Sequence, residues 1–453
     1  MDFNENNRHL SVPKPEHSRQ MDSEFTDTSK FSSQKNIPES ELEEIYKQEV
    51  TRASRKARIE EAEQYGFSKK TAVANSKKGG DIKKKHLKLR IIIGTIAALL
   101  GVVVGIVCFF FWYKDYLLSR ITYNTTASNA VITIVNEQGE TVALSDVTET
   151  TQYEVIQSEP IKNFLLIGID SRSKNYNESG TGERADVIVV MSIDSNQGTI
   201  KLLSIARDSY AFFPGYSTPH KINAAMAYGG PDLLQATVEG SLRIKIDGYA
   251  YVNFSHMAQI IDAVGGVYVN MTSSEAYYAN QHITAIYGNS AAFINSTGEG
   301  TWLNGIQAVA YARVRYTGNG DYERMERQIE VLRSLMTQYM KLSAIDKMAV
   351  MDDVFGAIVT NIPKEDIEKY ALDFLPSLSN AEMQYLQLPI EGCYNAGMYG
   401  DEWSMRVNWN AFIPYVQEYF YGQTTDFDPV KLPSHVPELS KCKTNTPLEK
   451  LIH

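Results

Sequence analysis

NFLLIGID (163–170), ADVIVVMSID (185–194) and TIKLLSIARD (199–208) are three apolar runs, each ending on a carboxylate. They are rich in Ile, Val and Leu and lack polar alternation, the pattern of strands buried on both faces of a sheet. Helical stretches follow. PDLLQATVEGSLR (231–243) opens with a proline suited to a first helical turn, and FSHMAQIIDAVGG (254–266) has a serine at a capping position and a glycine stop. Strands and helices in this order predict an α/β fold, a three-layer α-β-α sandwich starting near Ile161. Further helices are expected over 323–340, 344–361, 364–375 and 409–421.

Upstream, IIIGTIAALLGVVVGIVCFFFWY (91–113) carries no charge. At about 1.5 Å per residue, such a helix is roughly 35 Å long, enough for a hydrocarbon core of about 30 Å. It reads as a single N-terminal transmembrane helix, since a cleavable signal would be shorter and would not follow some ninety residues. Lys77, Lys78, Lys83, Lys84, Lys85, Lys88 and Arg90 precede it, against Lys114 and Arg120 beyond it, so the N-terminus is placed in the cytoplasm and the bulk of the chain outside. Residues 1–90 form a largely disordered tail in this reading, with a helix over 39–65. Residues 114–160 read as a stalk, 341–422 as the C-terminal part of the outer domain, and 423–453 as a loose tail.

The 453 residues carry a net charge of -10, unevenly spread. Residues 1–90 hold 19 Lys and Arg against 15 Asp and Glu, leaving 25 against 39 in the remainder. An acidic outer part excludes general nucleic-acid binding, which needs a basic stripe, so any phosphate site must be a local arginine cluster. Cys108, Cys393 and Cys442 lie too far apart for metal-ligand spacing, and a disulfide between the last two stays open.

Such a cluster is present. Asp170 and Arg172 follow the first strand, Arg184 and Asp186 stand where the second begins, and Arg207 and Asp208 end the third. In open α/β sheets these ends line the ligand crevice. The densest string is YARVRYTGNGDYERMERQ (311–328). Arg313 and Arg315 share a side if the segment is extended, and Arg324, Arg327 and Gln328 follow on the first turns of a helix. A solvated, salt-bridged helix start would account for Asp321, but it leaves the paired arginines without partners. Arginine's planar fork fits phosphate oxygens bidentately.

The order NFLLIGID, RAD, SIARDS, HKINAAMAYGG, VNF, DAVGGVYV, YARVR and DYERMERQ resembles the LytR-CpsA-Psr domain over about residues 161–340. That resemblance implies membrane-anchored bacterial enzymes that move a glycopolymer, teichoic acid or capsular polysaccharide, from a polyprenyl-pyrophosphate carrier to a peptidoglycan sugar hydroxyl, forming a phosphodiester. It implies Mg2+ at Asp170 and Asp186, and pyrophosphate held by Arg184, Arg207, Arg313, Arg315, Arg324 and Gln328, with Lys221 and Asn223 near the same mouth. Asp170, Asp186, Arg313 and Arg315 carry catalysis, and either aspartate can take the proton of the attacking hydroxyl. A non-catalytic envelope receptor and a lipid pyrophosphate hydrolase are the alternatives. A polyprenyl tail also needs an apolar channel, for which Leu233, Leu234, Val238, Met257, Ile260, Ile261, Leu332 and Leu335 are the expected walls.

Overall fold

The structure, a computed structural model, describes residues 47–48, 50–57, 60, 101–102, 104–106, 108–109, 111–124, 133–136, 138–149, 153–170, 182–288, 292–317, 321–370, 382–442 and 448–452. It divides into two units, Met1–Val107 and Cys108–His453. In the first, the described residues 47–48, 50–57 and 60 are helical, as are 101–102 and 104–106. Most of the expected disordered tail, and residues 91–100 of the expected membrane span, lie outside the described residues. Among the described residues no helix is long and apolar enough to cross a membrane.

The second unit is built on a seven-stranded mixed sheet. Its strands are β1 (Thr122–Tyr123), β4 (Ile161–Ile169), β5 (Ala185–Asp194), β6 (Thr199–Ile205), β9 (Gly248–Asn253), β12 (Val359–Thr360) and β13 (Glu382–Leu388), in the order β1-β12-β9-β4-β5-β6-β13. Small pairs complete the strands: β2 (Thr133–Val135) with β3 (Thr141–Ala143), β7 (Tyr210–Phe212) with β8 (Pro219–Lys221), β10 (Val267–Met271) with β11 (Gly298–Leu303), and β14 (Tyr394–Tyr399) with β15 (Glu402–Val407). The three runs that open the sequence argument are β4, β5 and β6. β4 and β6 both run antiparallel to β5, while β4 pairs parallel with β9 and β6 parallel with β13.

Helices cover both faces, because both faces of these strands are apolar. Leu165, Ile167, Ile169, Ile188, Val190 and Leu203 belong to the largest core, with residues of α1 (Ala224–Leu242) and, further along the chain, α7 (Ile413–Tyr421). Val189, Ile200 and Leu202 point the other way, toward Ile329, Leu332 and Met336 of α5 (Asp321–Lys341). That second side also carries α2 (Phe254–Ala263), α3 (Ser273–Tyr287), α4 (Gly305–Tyr311) and α6 (Ala344–Ala357).

The structure corrects several expectations. The segment read as a stalk supplies β1, which pairs with β12, and a helix over 111–120 is tied down by Tyr113, whose hydroxyl donates to Met348 O at 2.7 Å, and by the Arg120–Asp352 ion pair at 3.0 Å. Residues 341–422, read as the C-terminal part of the outer domain, contribute β12 and the edge strand β13 to the main sheet. The expected loose tail packs on the core through Val430 and Leu432, and the Asn410 amide exchanges hydrogen bonds with the Val430 backbone. The expected helix over 344–361 stops at Ala357, because Val359–Thr360 pair with β9. Asn253 caps α2, accepting from His256 N at 2.8 Å, one residue before the helix and two before Ser255.

Candidate active site

Strand direction gathers the predicted residues. Ile169, at the end of β4, pairs with Ala185, at the start of antiparallel β5, so Asp170 and Asp186 leave the sheet at one edge. β6 returns to that edge and delivers Arg207, and β9, parallel to β4, delivers Phe254. The arginine string closes over the same edge. Its approach is fixed at Gly305, where a Cβ would lie 1.9 Å from Ala258 O, so α4 and α2 meet at a distance only glycine permits. Asn304 and Gln307 then start α4 with a reciprocal capping box.

Val314 anchors the string. Its side chain is fully buried, and Arg313 and Arg315 flank it and both reach one cavity. Arg327 holds the segment from behind. It donates through Nη2 to Val314 O at 2.8 Å and pairs through Nη1 with Glu275 at 2.9 Å. Arg327 is therefore a strut, whereas Arg324, three residues earlier, faces the cavity.

That cavity has a volume of about 200 Å³ and is walled by Asp186, Phe254, His282, Arg313, Arg315, Tyr316, Arg324 and Gln328. Five of these residues come from the set singled out in the sequence. Asp170 stands beside it, taking Nη2 of Arg313 at 2.9 Å, and Asp186 accepts from Arg207. Arg313 lies over the Phe254 ring, 4.5 Å from its centroid. Arg324 is 2% exposed, pairs through Nη2 with Asp321 at 2.9 Å, and keeps Nε and Nη1 buried without a hydrogen-bond partner among the described residues. Burial, with the charges of Arg207 and Arg315 added, lowers its pKa to about 10 against the pull of Asp321. Arg315 is also lowered by burial and then by Arg207. The cavity thus gathers Arg313, Arg315 and Arg324, the last two with pKa lowered by burial and by neighbouring arginines.

The remaining predicted residues act at one remove. Lys221 bridges Asp208 at 3.1 Å and Glu402 at 3.3 Å, and Asp208 in turn lies 3.5 Å from Nε of Arg207. This alternating chain sets the position of Arg207 and spends the charge of Lys221. Asn223 ties strand ends together through its backbone, donating to Arg207 O and accepting from Ala185 N. Arg184 is exposed, and none of these three lines the cavity.

A second cavity, of about 280 Å³, lies between the sheet and α2, α4, α5 and α6. Its walls are almost wholly apolar. Met257, Ile260, Ile261, Leu332 and Leu335 line it as expected, but Leu233, Leu234 and Val238 do not, because α1 covers the opposite face and they fill the main core. Phe254, Arg313 and Gln328 belong to the walls of both cavities. An apolar pocket thus meets an arginine-walled one at Arg313.

The sequence reading missed His282, Phe254 and Tyr316. Burial and then Arg313 and Arg315 lower the His282 pKa, favouring the neutral ring; it is hydrogen-bonded to the Arg313 backbone, and its Nε2 is buried with no hydrogen-bond partner among the described residues. Its only sequence signal is a spacing of four from Tyr278 on α3.

Fold and site together define an α/β domain in which an arginine-walled cavity adjoins an apolar one. The chain belongs to the LytR_cpsA_psr family, whose model matches residues 121–412. It is similar to the polyisoprenyl-teichoic acid–peptidoglycan teichoic acid transferase TagU of Enterococcus faecalis, 30% identical over 244 residues, 53% of this chain and 74% of the relative. The TagU of Halalkalibacterium halodurans is 28% identical over 314 residues, 69% of this chain and 90% of the relative. Among solved structures, TagV of B. subtilis is 26% identical with a TM-score of 0.46, covering 60% of this chain and all of that one, 100%.

Proposed function

We propose that this chain transfers a glycopolymer from a polyprenyl-pyrophosphate carrier to a sugar hydroxyl of peptidoglycan, forming a phosphodiester. The observation that carries the reading is the meeting of the two cavities at Arg313, which matches a ligand with an apolar tail and a doubly charged head. The names of the relatives give the polymer class, a teichoic acid.

The acceptor hydroxyl attacks the sugar-bearing phosphorus, and the bond from that phosphorus to the bridging oxygen breaks. Polyprenyl phosphate leaves with the electron pair. Arg313, Arg315 and Arg324 stabilise the charge that collects on the pyrophosphate oxygens, where fixed donors in a partly buried site are most effective. Asp170 or Asp186 takes the hydroxyl proton, and the arginine paired with each orients it. Both aspartates offer the hard oxygens Mg2+ prefers, and that ion needs only one or two carboxylates when phosphate oxygens and water supply the rest. When bound, the ion would neutralise pyrophosphate charge. Residues 91–113 are proposed as the membrane anchor that keeps the domain at the outer face, within reach of its lipid carrier.

Mass spectrometry of the detergent-purified full chain tests the ligand. A co-purified polyprenyl phosphate or pyrophosphate is expected in wild type and absent from Arg313→Ala; a wild type that carries no such lipid and binds none when it is added overturns the carrier reading.

A further inference from the structure

Three tyrosines form a row outside the arginine mouth. Tyr277 is 61% exposed and Tyr316 is 70% exposed, with Tyr278 between them, its ring centroid 5.3 Å from Tyr277 and 5.4 Å from Tyr316 and its plane inclined 74° and 40° to theirs, so that each ring offers its own face. Tyr278 packs partly on the core beneath α3, which fixes the middle of the row. Exposed aromatic side chains gathered in one place are uncommon on a surface that meets only water. This row also has a direction. Tyr316 follows Arg315 in the chain and stands in the wall of the arginine cavity, whereas Tyr277 lies beyond it. One turn along α3 from Tyr278, His282 lines that cavity with its Nε2, unpartnered among the described residues.

We propose that Tyr316, Tyr278 and Tyr277 form a stacking platform for the first sugars of the carrier-linked glycopolymer, with His282 Nε2 hydrogen-bonding a hydroxyl of the sugar next to the pyrophosphate. This rests on the carrier reading above. A pyranose presents an apolar C–H face and a rim of hydroxyls. An exposed tyrosine matches it with a flat apolar ring and a polar tip, at low cost in side-chain entropy. The donor sugar is the occupant because it is bonded to the phosphate. A ligand whose phosphate sits on Arg315 brings its first sugar within reach of Tyr316, the next residue in the chain and part of the same cavity wall.

Titration of the full chain in detergent with two short-chain polyprenyl pyrophosphates, one bearing a disaccharide and one bearing none, tests the assignment. Wild type binds the sugar-bearing ligand more tightly. Tyr277→Ala and Tyr316→Ala each reduce that ratio of affinities about three- to ten-fold, the scale of an aromatic stacking contact, and Tyr277→Phe keeps it. A wild-type ratio near one, or a ratio unchanged in both alanine variants, overturns the platform while leaving the carrier reading standing. Failure of wild type to bind either ligand overturns both. If the variants instead lose affinity for soluble peptidoglycan glycan chains and keep the ratio, the platform serves the acceptor and the donor assignment is wrong.

Discussion

Replacing Arg324 by methionine separates a binding arginine from a structural one. The side chain is 2% exposed and uses Nη2 on Asp321, leaving Nε and Nη1 buried without hydrogen-bond partners among the described residues. Each charge-assisted hydrogen bond to a phosphate oxygen is worth about 1.5–3 kcal/mol. Two of them give roughly 3–6 kcal/mol, or about two to four orders of magnitude in affinity. The cost to the empty protein is much smaller. Methionine fills similar volume and removes two unsatisfied buried donors, each costing about 1–3 kcal/mol, which offsets what Asp321 loses when its partner goes. The expected result is a fall of about 10²- to 10⁴-fold in affinity for a short polyprenyl pyrophosphate, with the unfolding free energy from urea titration lowered by no more than about 2 kcal/mol. Arg324→Lys keeps the charge but not the fork and should fall between. An affinity loss under ten-fold, or a stability loss of about 3–5 kcal/mol as for a broken buried ion pair, would refute the reasoning and make Arg324 a structural residue.

Arg313→Ala and Arg315→Ala are expected to abolish transfer with little change in melting temperature, since neither anchors the core; comparable losses of stability and activity would mark them as salt-bridge residues. Leu332→Trp, which fills the apolar cavity, should reduce co-purified polyprenyl lipid while leaving the fold intact, as read by mass spectrometry and thermal melting. Transfer should require a divalent cation, and equal rates in EDTA and in added Mg2+ would remove Asp170 and Asp186 from metal binding. Burial pushes the Asp232 pKa up to about 6, with the Tyr249 hydroxyl opposing the shift. The folded chain therefore holds on Asp232 a proton that the unfolded chain releases near pH 4, and the contribution of Asp232 to stability falls as pH rises from about 4 to 6. Asp232→Asn should match wild type below pH 4 and exceed it by up to about 3 kcal/mol above pH 6, as read by urea unfolding. The same difference at both pH values would contradict the titration.

The sheet's centre and the charged edge were legible because they follow from local pattern. Buried strands need continuous apolar runs, and Asp170 and Arg207 sit just past the ends of two such runs while Asp186 sits at the start of another. Topology was less legible. β1 and β12 are each two residues long, too short for any periodicity, and they join the sheet from positions 122 and 359 through tertiary pairing alone. The side of the sheet was hidden as well: Leu233 and Leu332 belong to similar apolar helix faces, yet one fills the core on one face and the other lines the cavity on the opposite face. Within the arginine string, spacing could not separate ligand from strut. Arg324 and Arg327 are both buried on α5, and only the positions of Val314 O and Glu275, distant in sequence, assign Arg327 to support. His282 gave no signal strong enough to distinguish it from an ordinary helix residue, since its role depends on where α3 lies beside Arg313.

The central claim is tested most directly by reconstituting transfer. Full-length protein in detergent or vesicles is given a polyprenyl-pyrophosphate-linked glycopolymer labelled in the sugar, together with purified peptidoglycan. The account predicts that label becomes bound to the insoluble peptidoglycan through a phosphodiester and that polyprenyl phosphate is released in equal amount, with neither product formed by Arg315→Ala. Release of soluble labelled polymer with none joined to peptidoglycan would make the protein a hydrolase, and an unchanged donor under conditions where it binds would make it a receptor; either result contradicts the account.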